Sequence, residues 1–188
     1  MSAEWRIGMK KILRLFVSIL GAHFAAIFLS FVIQLFFGNL TNKIGLTGII
    51  CALIYIGAVY SVGWNQGKRD SRKITGVSPD VKSNALAGLC LSGITLILLI
   101  IRVAVFHIAA GGVVTADKPG SLMAADVIYR LWNYPFVEFM QSGTLFSYIV
   151  PAVLPFVIYT LAYIFGVKRF SLADDVFRNI IYKKENKK

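Results

Sequence analysis

Residues 44–73 read IGLTGIICALIYIGAVYSVGWNQGKRDSRK. From Ile44 to Trp64 there is no charged residue, and residues 65–73 are mostly amide, glycine and base. A helical run of about 20 uncharged residues spans a hydrocarbon core of about 30 Å. The Gly-Lys-rich end is either a phosphate-binding loop or the point where a helix leaves a membrane. The first reading fails on spacing. A P-loop needs Gly, four residues, then Gly-Lys-Ser/Thr, between a strand and a helix. Gly63 and Gly67 are one residue too close, Arg69 stands where the metal-binding hydroxyl belongs, and an apolar helix precedes them. The second reading uses every residue. Tyr60 and Trp64 suit the headgroup level, and Gly67 is expected to end the helix in a left-handed cap. Lys68, Arg69, Arg72 and Lys73 then meet anionic lipid or a partner, and Asp70 pairs with a neighbouring base.

Three further runs have the same character. Residues 12–37 hold only Arg14, residues 85–110 only Arg102, and residues 145–167 no charge at all. With 57% apolar and 15% charged residues, the chain departs from a soluble composition. The expected fold is an all-α integral membrane protein of one domain, residues 1–188. Its four transmembrane helices lie at about 12–37, 44–64, 85–110 and 145–167, followed by a basic tail, 168–188. The first run exceeds a signal-peptide core and no A-x-A site follows, so it is expected to remain as an anchor. Sixteen of the twenty basic residues fall in the N-terminal segment, the second loop and the tail; the opposite side has Lys43, Lys118 and Arg130. The positive-inside rule places both termini in the cytosol of a cell membrane. The net charge of +11 then belongs to the face that meets anionic inner-leaflet lipids, and no nucleic acid is needed to explain it.

Helix two leaves through Tyr60-x-x-Gly63, then Lys68-Arg69-Asp70-Ser71; helix four leaves through Tyr163-x-x-Gly166, then Lys168-Arg169-Phe170-Ser171. The echo is either a duplicated hairpin, with a four-residue insertion in the first copy, or common exit chemistry. Trp64, Gly67, Arg69 and Asp70, with Gly166, Lys168, Ser171 and Leu172, resemble the helix exits of uncharacterised small bacterial four-helix membrane proteins. That resemblance implies a bacterial cell membrane and carries over no activity.

Amphipathic interfacial helices are expected in three places. Trp5, Met9, Ile12, Leu13 and Phe16 form an apolar face that would lie on the inner leaflet before helix one turns in. The tail repeats the device from a capping box at Ser171–Asp174 through Ala173, Val176, Phe177, Ile180 and Ile181. It rests on lipid or docks on a partner. The outer loop, residues 111–142, is too long for a connector. Ser121 can cap a helix there, Ile128, Trp132, Phe136 and Phe139 follow at helical spacing, and Pro135 bends it. This segment is either interfacial or re-entrant, a lid or a belt. Asn39-Leu40-Thr41 matches a glycosylation sequon but sits too close to the membrane to be an expected acceptor.

Polar residues inside spans are candidate functional groups. Ser30 and Gln34 each fall within about 20° of His23 on the circumference of helix one, with Ala26 nearby. This stripe lines a path or pocket, or bonds a neighbouring helix. Arg102 is expected to anchor the outer interface, received by Asp117, Asp126 or Glu138, and His107 to lie at the surface. Cys51 and Cys90 are at different depths, too far apart for a disulfide, and read as packing residues. Gly48-x-x-x-Ala52, Gly57-x-x-x-Ser61 and Gly88-x-x-x-Ser92 supply close-packing seams. Pro151 and Pro155 share a face of helix four and should kink its outer half. There is no HExxH, no cysteine ligand cluster, no Gly-x-Ser-x-Gly and no paired carboxylate facing the headgroups. Neither catalysis nor a cofactor is therefore expected. The leading expectation is a non-enzymatic membrane subunit or accessory protein, acting with a membrane-protein partner or as a homo-oligomer. The alternative is a small carrier or channel-forming subunit lined by the stripe. A lipid-modifying enzyme ranks third.

Overall fold

The computed structural model describes residues 3–37, 45–72, 79–110, 120–141 and 144–168. Among them every regular element is helical: α1 Ala3–Phe37, α2 Leu46–Asp70, α3 Val81–Ala110, α4 Gly120–Trp132, a 3-10 turn Tyr134–Phe136, α5 Val137–Met140 and α6 Leu145–Val167. Four of these, α1, α2, α3 and α6, are long and apolar enough to cross a membrane. The bundle's surface is apolar around its circumference: Phe28 is 68% exposed, Ile100 65% and Phe146 75%. Its buried residues include Tyr55, Tyr129, Tyr159, Tyr163, His23, Asn84 and Thr95. An apolar coat around an aromatic and polar interior suits a hydrocarbon solvent rather than water.

Several boundaries differ from expectation. α1 runs unbroken from Ala3 over 35 residues, so no turn separates a surface segment from a span. α2 does not stop at Trp64; it continues to Asp70, with Ser71 as its C-cap. Gly67 is therefore helical and ends nothing. It serves close approach instead. A methyl group on Gly67 would collide with the Tyr163 carbonyl and the Val167 nitrogen, and one on Gly166 with the Trp64 carbonyl and the Lys68 nitrogen. The echoed exits thus lie against each other, but in a different register. Trp64-x-x-Gly67 faces Tyr163-x-x-Gly166 with no insertion. α2 and α6 run in the same direction along this seam, with Gly63 meeting Tyr159 and Ala162 one turn further in.

The seams are used unequally. Gly88 and Ser92 are buried, and Gly88 packs beside Tyr159 and Phe156. α6 remains one helix through Pro151 and Pro155. Just past Pro155, the Phe156 N–H donates to Ser92 Oγ at 3.1 Å, so the second helix supports the backbone that the prolines loosen. Gly48 approaches the Glu138 side chain. Gly57 has nothing around it and, with Ser61, lies on the outer surface.

The basic end, where α1 and α3 begin and α2 and α6 finish, is tied by carboxylates. Asp70 pairs with no base among the described residues; it is buried, accepting Tyr163 Oη at 2.9 Å and Gln66 Nε2 at 2.9 Å. Tyr163 Oη also accepts the Asp80 N–H at 2.9 Å. Asp80 caps α3 through the Ser83 N–H at 3.0 Å and pairs with Lys11 at 3.1 Å. Donation from Ser83, helped by Lys11, holds the Asp80 carboxyl down at about 2. Asn84 completes the set, accepting Tyr159 Oη at 2.9 Å. Four helices converge on these side chains.

Candidate functional site

The segment between α3 and α6 does not form a surface belt. α4 runs back along α3, and its last residue, Trp132, reaches mid-bundle. There the indole Nε1 donates to Thr95 Oγ1 at 2.9 Å, and the ring lies 4.6 Å from the His23 ring, centroid to centroid. His23 and Thr95 are each near the midpoint of their helices. The chain then turns through Asn133, Pro135 and Phe136, all buried, and α5 heads back. Trp132 and Phe136 share the spacing of an amphipathic helix, but their face meets protein. Phe136 packs on Tyr55 at 5.1 Å between ring centroids. Helix α4 begins at Gly120, so Ser121 lies within its first turn instead of preceding it.

Two polar links hold this hairpin. Glu138 Oε2 accepts the Gly48 N–H at 2.8 Å, capping the free amides at the start of α2 from outside that helix. Asp126 binds both Arg102 at 2.6 Å and Arg130 at 2.7 Å. The second contact is an ion pair without hydrogen-bond geometry. Arg102 also lies over the Tyr148 ring at 3.9 Å, and Tyr129 Oη donates to the Tyr148 carbonyl. Of the three acids that could receive Arg102, Asp126 does so and Glu138 does not; Asp117 lies outside the described residues.

The helix-one stripe meets this hairpin at His23, whose ring lies against Trp132. His23 and Ser30 are buried and Gln34 is partly buried. His23 Nδ1 is 3.1 Å from Tyr55 Oη. His23 Nε2 has the Trp132 backbone beside it but no hydrogen bond of ordinary geometry. Ser30 Oγ and Gln34 Nε2 are likewise buried without a partner among the described residues. Three unsatisfied polar atoms therefore follow one line, from mid-bundle to the end opposite the bases. Buried polar atoms nearly always have partners, because leaving one bare costs about 1–3 kcal/mol. Cys51 closes part of the line, its thiol 3.8 Å from the Ser30 carbonyl.

The remaining sequence candidates separate by place. Lys68, Arg69, Arg72 and Lys168 are exposed at the basic end, and Lys68 stacks on Trp64 at 4.7 Å. Lys73, Arg169, the tail and the sequon lie outside the described residues. His107 is exposed. Cys51 packs inside, whereas Cys90 is exposed on the bundle surface and packs nothing. No group of His, Cys, Asp or Glu among the described residues could hold a metal ion. Tyr55, Thr95 and Glu138's capping role had no signature in the sequence, since each depends on a residue far along the chain. Comparisons with family models, with curated proteins and with solved structures return no significant match.

Proposed function

We propose that the chain is a small carrier or channel-forming membrane subunit, without enzymatic activity, whose path runs along His23, Ser30 and Gln34 and is plugged by a re-entrant α4–α5 hairpin. The observation that carries this reading is the file along helix one of three buried polar atoms without partners among the described residues, which meets the hairpin at His23 and Trp132. The file is uncharged hydrogen-bonding surface, so a small neutral solute with hydroxyl or amide groups matches it. Irregular backbone at membrane depth is tolerated where protein or a cavity surrounds it, and Asn133–Phe136 has such surroundings. The membrane is a cell membrane with the basic end in the cytosol, supported by the charge distribution. The test is solute-driven light scattering from liposomes containing the purified protein, with glycerol and urea as solutes. The wild-type protein should accelerate flux over empty liposomes. His23→Leu should remove most of that gain, and Trp132→Ala, which shortens the plug, should increase flux. Wild-type liposomes no more permeable than empty ones would sink the reading.

A second reading, an accessory subunit, is favoured by one separate observation. Gly57 and Ser61 form a small-residue seam on the outer surface that no helix among the described residues fills, and such seams admit a neighbouring helix. Gentle-detergent purification from the native membrane tests it. A stoichiometric companion protein that is lost in Gly57→Leu would support it; recovery unchanged by Gly57→Leu would remove it.

A further inference from the structure

A second feature lies about one to two helical turns from His23, at the basic end. An open cleft of about 320 Å³ is lined by Leu15 and Ser18 of α1, by Val62, Asn65, Gln66 and Arg69 of α2, and by Tyr159 of α6. Its chemistry is one-sided. Arg69 supplies a guanidinium, Asn65 an amide and Ser18 a hydroxyl, and no carboxylate among the described residues belongs to the lining. The nearest acid by sequence, Asp70, is turned away and occupied by Tyr163 and Gln66. Arg69 has no ion-pair partner among the described residues. Leu15, Val62 and the Tyr159 ring provide an apolar wall. A fork of guanidinium donors beside neutral donors fits phosphate oxygens, and the apolar wall fits the hydrocarbon attached to them.

We infer that this cleft binds an anionic phosphate ester. The ester comes from an inner-leaflet phospholipid headgroup or from a soluble phosphorylated molecule. The cleft uses neither His23 nor the hairpin, so it stands or falls separately from the transport reading. It goes beyond a general attraction of the basic face for anionic lipid, because it assigns one pocket and one arginine.

The experiment is native mass spectrometry of the full chain released from phosphatidylcholine nanodiscs. These are prepared with phosphatidylglycerol, or without it but with glycerol 3-phosphate. Wild type is expected to retain one of the two ligands. A charge-assisted contact of about 1.5–3 kcal/mol predicts that Arg69→Gln lowers retention about tenfold or more. Lys82→Gln, which removes a charge from the same end outside the cleft, should leave retention unchanged. Val62→Phe, which fills the cleft and keeps every charge, should lower it. Circular dichroism confirms that each variant is helical. Retention of phosphatidylglycerol alone supports the site and assigns it to lipid; binding of glycerol 3-phosphate alone supports it and assigns it to a soluble ester. Equal loss in Arg69→Gln and Lys82→Gln, unchanged retention in Val62→Phe, or no retention of either ligand by wild type would overturn the proposal.

Discussion

Single side chains at the basic end carry more of the architecture than their exposed neighbours. Tyr163 is hydrogen-bonded on both sides, to Asp70 and to the Asp80 amide. Tyr163→Phe should therefore leave a buried carboxylate short of a donor and destabilise the bundle by about 1–3 kcal/mol, read as a lower midpoint in denaturant. Tyr60→Phe, at a half-buried ring near the exit of α2, is the comparison and should change little. Asp80 makes the companion prediction. Its folded-state pKa, about 2, lies below the ordinary carboxylate value of 3.8. The stability it contributes is complete above about pH 4 and is lost as pH falls through 2. Because the side chain is about one-third exposed, the effect is modest. Acid titration of thermal stability should be shallower in Asp80→Asn than in wild type between those limits. Equal slopes would mean that Ser83 and Lys11 do not hold this carboxylate in solution. None of these pairings could be read from the chain, because Asp70 looks like any acid among bases until Tyr163 is folded onto it.

At the scale of elements, the parallel α2–α6 contact brings two backbones together, and it depends on having no side chain at Gly67 and Gly166. Overpacking a tight contact costs about 1–3 kcal/mol. Gly67→Ala and Gly166→Ala should each lower resistance to denaturing detergent by that order, whereas Gly57→Ala, at an open position, should be neutral. The sequence disclosed that these exits share an aromatic, glycine and base pattern, read as duplication or common exit chemistry, but not that they touch. It misled on register, because Tyr60 and Tyr163 match by residue type while Trp64 and Tyr163 match by position. It misled on Gly67 for a related reason. Glycine before a basic run usually marks a helix end, but here the same residue is demanded by the neighbouring backbone. The four long helices themselves were legible within a few residues, since an unbroken apolar run has few other uses at that length.

For the whole molecule, the apolar periphery and the polar interior are two halves of one design. Hydrocarbon gives helices little reason to associate through apolar contact, so tyrosines, amides and small residues hold the interior together. This arrangement was only half visible in advance. The stripe of His23, Ser30 and Gln34 was readable from helical periodicity, but its counterpart was not. Trp132 belongs to a segment whose spacing suits a surface helix, and only the fold shows the bundle's middle receiving it. Thiol chemistry checks the arrangement. Cys90 should react with a lipid-soluble maleimide in intact membranes, and Cys51 should stay protected until the bundle is unfolded. Early labelling of Cys51 would mean that the hairpin does not seat against α1 and α2 as described.

The inserted hairpin also fixes an order of assembly. α4 is 13 residues long and α5 only four, too short for either to be threaded across a bilayer as a span. In the proposed re-entrant arrangement the segment is first delivered whole to the far side and then sinks back into a slot walled by α1, α2 and α3. α6 follows it in the chain and shuts that slot, its Tyr148 meeting the returning Tyr129 and Arg130. Biogenesis therefore has a late step that leaves the number of crossings unchanged. A chain stalled before that step would carry the finished topology and an unsealed interior, which is the form a quality-control protease should recognise.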